Sequence, residues 1–245
     1  MRRPLITAHT GCMQTPLNSV ASVMAGLEAG ADMIEVDVRS TKDGAVVLLH
    51  DEAVLTAHGA VRAQDVTLGE LQALGPKEQI TLLQDVLPFV REANRVMNLD
   101  VKEDAAIAPM LRIVEEFGMR EQVLLTGCEE QRVACVTAHY RPYQVLLNAS
   151  IPLALQHQAE YARFIQETCR QAAELSCCGI NIHYKCCTEE LLHAAALRSL
   201  PVFVWTVDKA EDMETYLHMG VHSITSNQVA TLVHMREQLA AAPLR

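Results

Sequence analysis

A chain of 245 residues that is 50% hydrophobic, 20% charged and 4% aromatic holds enough apolar mass for a sizeable core, which excludes a disordered tail and a collagen-like repeat. Its 30 acidic against 20 basic residues leave a net charge of −10, the wrong sign for a duplex-binding protein, so nucleic acid is not an expected partner. No uncharged apolar run reaches the roughly 18 residues of a spanning helix, and no signal-peptide pattern opens the sequence, so stable membrane insertion is not expected.

In chain order, short β-branched or apolar runs alternate with amphipathic stretches. Strands are predicted at 5–8, 33–38, 96–101, 123–126, 143–147, 179–183, 202–206 and 222–225, and helices near 19–29, 82–93, 105–117, 129–139, 159–175, 189–198, 210–219 and 229–240. Gly30, Gly118 and Gly220 stand where helices end in a left-handed residue, and Asn18, Thr81 and Thr188 stand where N-caps are wanted. Repeated strand–helix units give parallel strands with right-handed crossovers, and eight of them predict one (β/α)8 TIM barrel domain over residues 1–245. No G-x-G-x-x-G follows a strand, which argues against an open nucleotide-binding sheet.

The rhythm breaks after the second strand, where an insertion spans about 41–80. Asp43-Gly44 between extended runs predicts a hairpin with a two-residue loop, which places Asp37 opposite His50. The remainder, 52–80, reads as a lobe over one rim with a short helix at 67–74. The eight cysteines, without an export signal, read as reduced thiols in a cytoplasmic protein; Cys177-Cys178 and Cys186-Cys187 lack the spacing of a zinc knuckle.

Reactive groups of such a barrel gather at the C-terminal ends of its strands. Glu35 and Asp37 share one face of the second strand, roughly 7 Å apart along it. Two uncompensated carboxylates there are costly unless neutralised, either by Lys102 and Arg39 at the rim or by a cation. With Asp100 from the next strand they form an all-oxygen set suited to Mg²⁺ or Ca²⁺. His9 and His50 are the candidate proton carriers, Asp51 either orients His50 or caps the following turn, and Trp205 is either core or pocket wall.

His9-x-Gly11, Pro16-x-Asn18-Ser19, Gly30-Ala31-Asp32, Glu35-x-Asp37-Val38, Thr41-Lys42-Asp43-Gly44 and His50-Asp51 resemble the N-terminal signature of the glycerophosphodiester phosphodiesterase family. Asp100-Val101-Lys102, Val204-Trp205-Thr206-Val207-Asp208 and Gly220-Val221 with Ile224-Thr225 extend the resemblance over nearly the whole chain. It implies a barrel that hydrolyses a glycerophosphodiester, a small-molecule partner, to glycerol 3-phosphate and an alcohol. On that mapping His9 and His50 exchange acid and base roles, Glu35, Asp37 and Asp100 hold the ion, Lys102 faces phosphate and Trp205 packs on the substrate. A lyase that stops at a cyclic phosphate and a non-catalytic metal- and phosphate-binding relative are the alternatives. Four positions depart from the family pattern: Thr10 stands for an arginine, Leu17 for a glutamate, Asp100 for a glutamate and Ser226 for an aspartate. Their loss of phosphate and substrate contacts predicts an altered substrate preference; whether Lys185, just past the sixth strand, replaces the charge lost at Thr10 is a question the sequence leaves open.

Overall fold

A computed structural model describes residues 3–76, 79–149 and 160–241. Eight parallel strands close on themselves: β1 (Leu5–Ala8), β2 (Met33–Ser40), β7 (Val96–Val101), β8 (Val123–Thr126), β9 (Gln144–Asn148), β10 (Gly179–His183), β11 (Val202–Trp205) and β12 (Ser223–Ser226). β12 returns to β1 in register, Leu5 on Ser223 and Ala8 on Ser226, and β1 also pairs β2. This is the (β/α)8 barrel expected from the alternation, reached because each strand is an apolar run bounded by turn residues.

The helices show why they pack outward. In α3 (Leu83–Glu92) the buried residues are Leu83, Val86, Leu87 and Val90, and in α4 (Ile107–Glu116) they are Ile107, Met110, Leu111 and Val114. Both follow the i, i+3, i+4, i+7 spacing that lays one apolar stripe on the sheet. The other outer helices are α1 (Val20–Glu28), α5 (Glu130–His139), α6 (Tyr161–Glu174), α7 (Glu189–Ala196), α8 (Ala210–Met219) and α9 (Val229–Ala241). Thr188 caps α7 as expected, accepting from the Leu191 amide. The other two caps shift by one residue: Ser19 caps α1, and Leu82 precedes α3 with Asp85 accepting its amide. The predicted helix start at 159 lies outside the described residues.

Inside the barrel, Met33, Leu124, Leu146 and Phe203 form an apolar plug. Two residues further along the same strands stand Glu35, Thr126, Asn148 and Trp205, on the same face by the period of two. The interior therefore passes from an apolar floor to a polar mouth at the C-terminal ends.

The insertion contains β3 (Val46–Leu48), a hairpin of β4 (Ala53–Thr56) and β5 (Gly59–Arg62), helix α2 (Leu68–Ala73) with a Thr67–Glu70 capping box, and β6 (Thr81–Leu82). The predicted register of the first hairpin is wrong by one residue. Val38 faces Leu48 and Ser40 faces Val46, because the loop holds three residues, Lys42-Asp43-Gly44, with Gly44 at φ +81°. That is the three-residue loop closed by a left-handed glycine, and it places Leu49, not His50, opposite Asp37. The upper half of β2 pairs β3 on the side where its lower half pairs β1.

Candidate active site

Parallel pairing of β2 with β7 sets Asp37 directly beside Asp100 and Glu35 beside Asn98. Glu35, Asp37 and Asp100 each offer a carboxylate oxygen, and these atoms lie within 4.8 Å of one another. Glu35 and Asp37 are 5% and 2% exposed, so solvent does little to screen their repulsion. Burial, and then the charges of Asp37 and Asp100, push the Glu35 carboxyl well above the usual carboxylate range. Lys102 is the local counter-charge, its Nζ 2.8 Å from Asp37 Oδ1 and 2.8 Å from Asp100 Oδ2. Burial lowers the pKa of that ammonium, but Asp100 and Asp37 outweigh it and the net shift is upward. Arg39, the other cation weighed from sequence, pairs with Glu103 at 3.1 Å and donates to the His50 carbonyl.

Three acids against one lysine leave the cluster short of positive charge, and the buried Asp100 Oδ1 has no hydrogen-bond partner. A hard, oxygen-seeking divalent cation meets both deficits, so the residues present fit such an ion. Gly127 makes room for this geometry: a Cβ there would lie 2.0 Å from Asp100 Oδ1 and 2.6 Å from the Val101 carbonyl, and its φ is +69°.

The loop after β1 is tied to the acids. The Thr10 amide donates to Glu35 Oε2 at 2.9 Å. The Thr10 hydroxyl accepts from the Asn18 amide at 2.6 Å, while Asn18 Nδ2 donates to Asp37 Oδ2 at 2.8 Å and Asn18 Oδ1 accepts from the Asp37 amide at 3.0 Å. Thr10, 2% exposed, thus organises the carboxylates through Asn18 instead of reaching outward. Asn18 takes this place with φ +51°, which is why the capping task falls to Ser19.

His9, Glu35, Asp37, His50, Asp100, Lys102 and Trp205 all line one cavity of about 380 Å³. His50 reaches it although the hairpin slipped, because strand pairing ends at Leu48 and the chain then leaves the sheet. His50 Nδ1 lies 2.8 Å from Asp51 Oδ1, so of the two roles weighed for Asp51 the orienting contact is present. His9 Nδ1 lies 3.0 Å from Asn227 Oδ1, and its Nε2 lies 4.0 Å from Glu35 Oε2. Asn227 is fixed by Asp208, to which both its amide nitrogen and its Nδ2 donate at 2.8 Å. Because Nδ2 is spent on Asp208, the Asn227 oxygen faces His9 and selects the Nδ1–H tautomer, leaving Nε2 with its lone pair. Sequence reasoning missed Asn227. Asp208 stood in a quoted motif, but its role depends on a contact between segments 19 residues apart.

Trp205 lines the cavity with its ring edge-on to His183 at 5.3 Å, and its Nε1 is buried without a partner. Lys185 is exposed, 5.8 Å from the Tyr184 ring centre, and does not line the cavity. Arg132 does, but its guanidinium is occupied by Asp104 and by the Val101 and Gly127 carbonyls.

The model of the glycerophosphoryl diester phosphodiesterase family matches residues 9–231. The chain belongs to that family. The glycerophosphoryl diester phosphodiesterases are phosphoric diester hydrolases, and the match takes in every residue just described around the cavity. A glycerophosphodiester phosphodiesterase of Caldanaerobacter subterraneus subsp. tengcongensis is 27% identical over 250 residues, covering 95% of this chain and 98% of that protein. The glycerophosphodiester phosphodiesterase of Thermotoga maritima superposes with a TM-score of 0.75 at 20% identity, over 96% of this chain and 99% of that one. An Oleispira antarctica phosphodiesterase, solved with the product sn-glycerol-3-phosphate, superposes with a TM-score of 0.76 at 19% identity, over 96% of this chain and 97% of that one. These structures share the glycerophosphoryl diester phosphodiesterase barrel.

Proposed function

We propose that this protein hydrolyses a glycerophosphodiester to glycerol 3-phosphate and an alcohol, with His9 and His50 as the acid–base pair and Glu35, Asp37 and Asp100 as the ligands of a divalent cation, Mg²⁺ or Ca²⁺. One observation carries the reading: in a member of this family, two imidazoles anchored at Nδ1 and three clustered acids line the same cavity. When bound, the cation supplies positive charge that binds phosphate oxygens and offsets the charge that builds at phosphorus.

The chain's own residues do the rest. Asp208, through Asn227, holds His9 so that Nε2 faces the cavity mouth as a proton acceptor. Asp51 orients the His50 ring through Nδ1. One imidazole takes a proton from the attacking water as the water oxygen bonds to phosphorus. The bond from phosphorus to the alcohol oxygen breaks, and the other imidazole gives that oxygen its proton. Lys102 keeps Asp37 and Asp100 aimed at the cavity and supplies a cation beside the phosphate, and Trp205 walls the substrate.

The small molecule is the partner that this cavity suits. Among the described residues no helix is long and apolar enough to cross a membrane. The eight cysteines are free thiols, which supports a reducing, cytoplasmic setting. One barrel domain over residues 1–245, with the insertion at about 41–80, fits the unbroken alternation of elements.

The test is ³¹P NMR of a glycerophosphodiester panel with Mg²⁺ or Ca²⁺. Wild type is expected to accumulate glycerol 3-phosphate, and His9→Ala and His50→Ala to stop it. Wild-type turnover in both variants removes the two-histidine mechanism, and a persistent cyclic ester makes the protein a lyase.

A further inference from the structure

A second depression of about 260 Å³, lined by Asn18 and by His50, which also lines the catalytic cavity, lies between the loop after β1 and the inserted lobe. Its remaining lining is mostly aliphatic: Leu17, Leu48, Leu49, Val54, Leu55 and Ile80. Leu17 and Leu55 are 59% and 58% exposed, the most open large apolar side chains on the described barrel mouth, and neither contributes to the core. Both are costly to leave in water unless something covers them.

From these observations we infer that this groove is the seat of the alcohol part of the substrate, and that the alcohol is an aliphatic chain rather than a small polar head. The inference rests on the hydrolase reading above. The groove begins at His50, and an alcohol whose oxygen takes its proton from that imidazole leaves toward the side of His50 away from the acids. There it meets Leu49 and Leu48, then the exposed Leu17 and Leu55. Trp205, from the far strand β11, remains on the other side of the cavity for the glycerol half. Polar choline-like or ethanolamine-like heads would bring an ammonium against a mostly aliphatic wall in which, among the described residues, Asp51 is the one acid and it already holds His50, a poorer use of the surface.

The experiment measures kcat/KM for glycerophospho-n-alkanols from ethanol to octanol, below their aggregation limits, with wild type, Leu17→Glu and Leu55→Ser. Both substitutions are at exposed positions outside the acid–base and ion-binding residues. Wild-type kcat/KM is expected to rise about fourfold per methylene seated, the equivalent of about 0.8 kcal/mol each. Both variants are expected to flatten that series, with Leu55→Ser keeping the glycerophosphoethanol rate within about twofold. A flat wild-type series with the short substrate cleaved overturns the inference and leaves the hydrolase reading standing. No cleavage of any member with either ion overturns the hydrolase reading itself. Chain-length dependence that survives in both variants also overturns the inference, since the chain then seats elsewhere. Flotation with phosphatidylcholine–phosphatidylglycerol vesicles, lost in the variants, or a dimer that Leu17→Glu dissociates, combined with a flat series, assigns the apolar lip to a bilayer or a second copy and likewise overturns it.

Discussion

Replacing Glu35 by Gln tests the charge balance of the site apart from catalysis. The cation-free cluster carries three carboxylates and one ammonium, a net of two negative charges (3 − 1) when all are ionised. Glutamine keeps an oxygen to accept from the Thr10 amide, so the loop after β1 stays anchored. Relieving a buried, poorly compensated charge is worth about 1–3 kcal/mol, and a chain of this length shifts Tm by about 2–4 °C per kcal/mol. Glu35→Gln is therefore expected to raise the cation-free Tm at pH 7.5 by about 5 °C. Wild type at 100 times its Kd for Mg²⁺ or Ca²⁺ gains about 2.7 kcal/mol, or about 5–10 °C. If losing one carboxylate weakens the ion about 100-fold, the variant gains only about 1 °C at the same concentration. Differential scanning fluorimetry with and without chelator reads all four values. The pH dependence has a definite sign. The folded Glu35 pKa lies above its unfolded value near 4.5, so the folded cation-free protein binds the extra proton in that window and loses stability as pH rises through it. The Tm advantage of Glu35→Gln must accordingly shrink as pH falls toward 4.5. A variant that melts at or below wild type at pH 7.5, with an unchanged circular dichroism spectrum, refutes the reasoning.

Three further outcomes follow from the same geometry. Gly127→Ala forces a Cβ against Asp100 at a positive φ, so it should cost about 1–2 kcal/mol from the backbone alone and more from the clash, and it should abolish most of the cation-induced Tm shift. Asn227→Ala frees the His9 ring, and kcat should fall about 10–100-fold with KM nearly unchanged and the acidic limb of the pH–rate profile displaced, whereas a purely structural role would leave that limb in place. Lys102→Met strips the counter-ion that, among the described residues, pairs with Asp37 and Asp100; the cation-free Tm should drop by about 6–12 °C for a loss of about 3 kcal/mol, and added Mg²⁺ or Ca²⁺ should restore much of it.

The barrel was legible because its strands are buried on both faces and read as apolar runs, while the helices between them carry the 3.6-residue stripe seen at Leu83, Val86, Leu87 and Val90. The acids were legible because two-residue spacing on a strand fixes a common face, as for Glu35 and Asp37. The hairpin register was not, since Asp43-Gly44 serves both as a two-residue loop and as the end of a three-residue one; the pairing of Thr41 with Ala45 and the left-handed Gly44 make it the latter. His50 still reached the cavity because it lies beyond the last ladder pair, where register no longer dictates facing. The Asp208–Asn227–His9 chain joins loops from two strands to a third, a relation with no periodicity to betray it. Thr10 read only as a neutral residue where the resemblance calls for an arginine; that its hydroxyl would fold back onto Asn18 depends on a loop conformation that spacing does not encode.

The central claim is that three acids on adjacent strands hold the ion that diester cleavage requires. Chelator-stripped protein titrated with Mg²⁺ or Ca²⁺, while glycerol 3-phosphate release from glycerophosphoethanol is followed, puts the claim to its most direct test. Release should be absent at the start, recover saturably as one ion binds per chain, and fail to recover in Asp100→Asn. Full-rate release in excess chelator would contradict it.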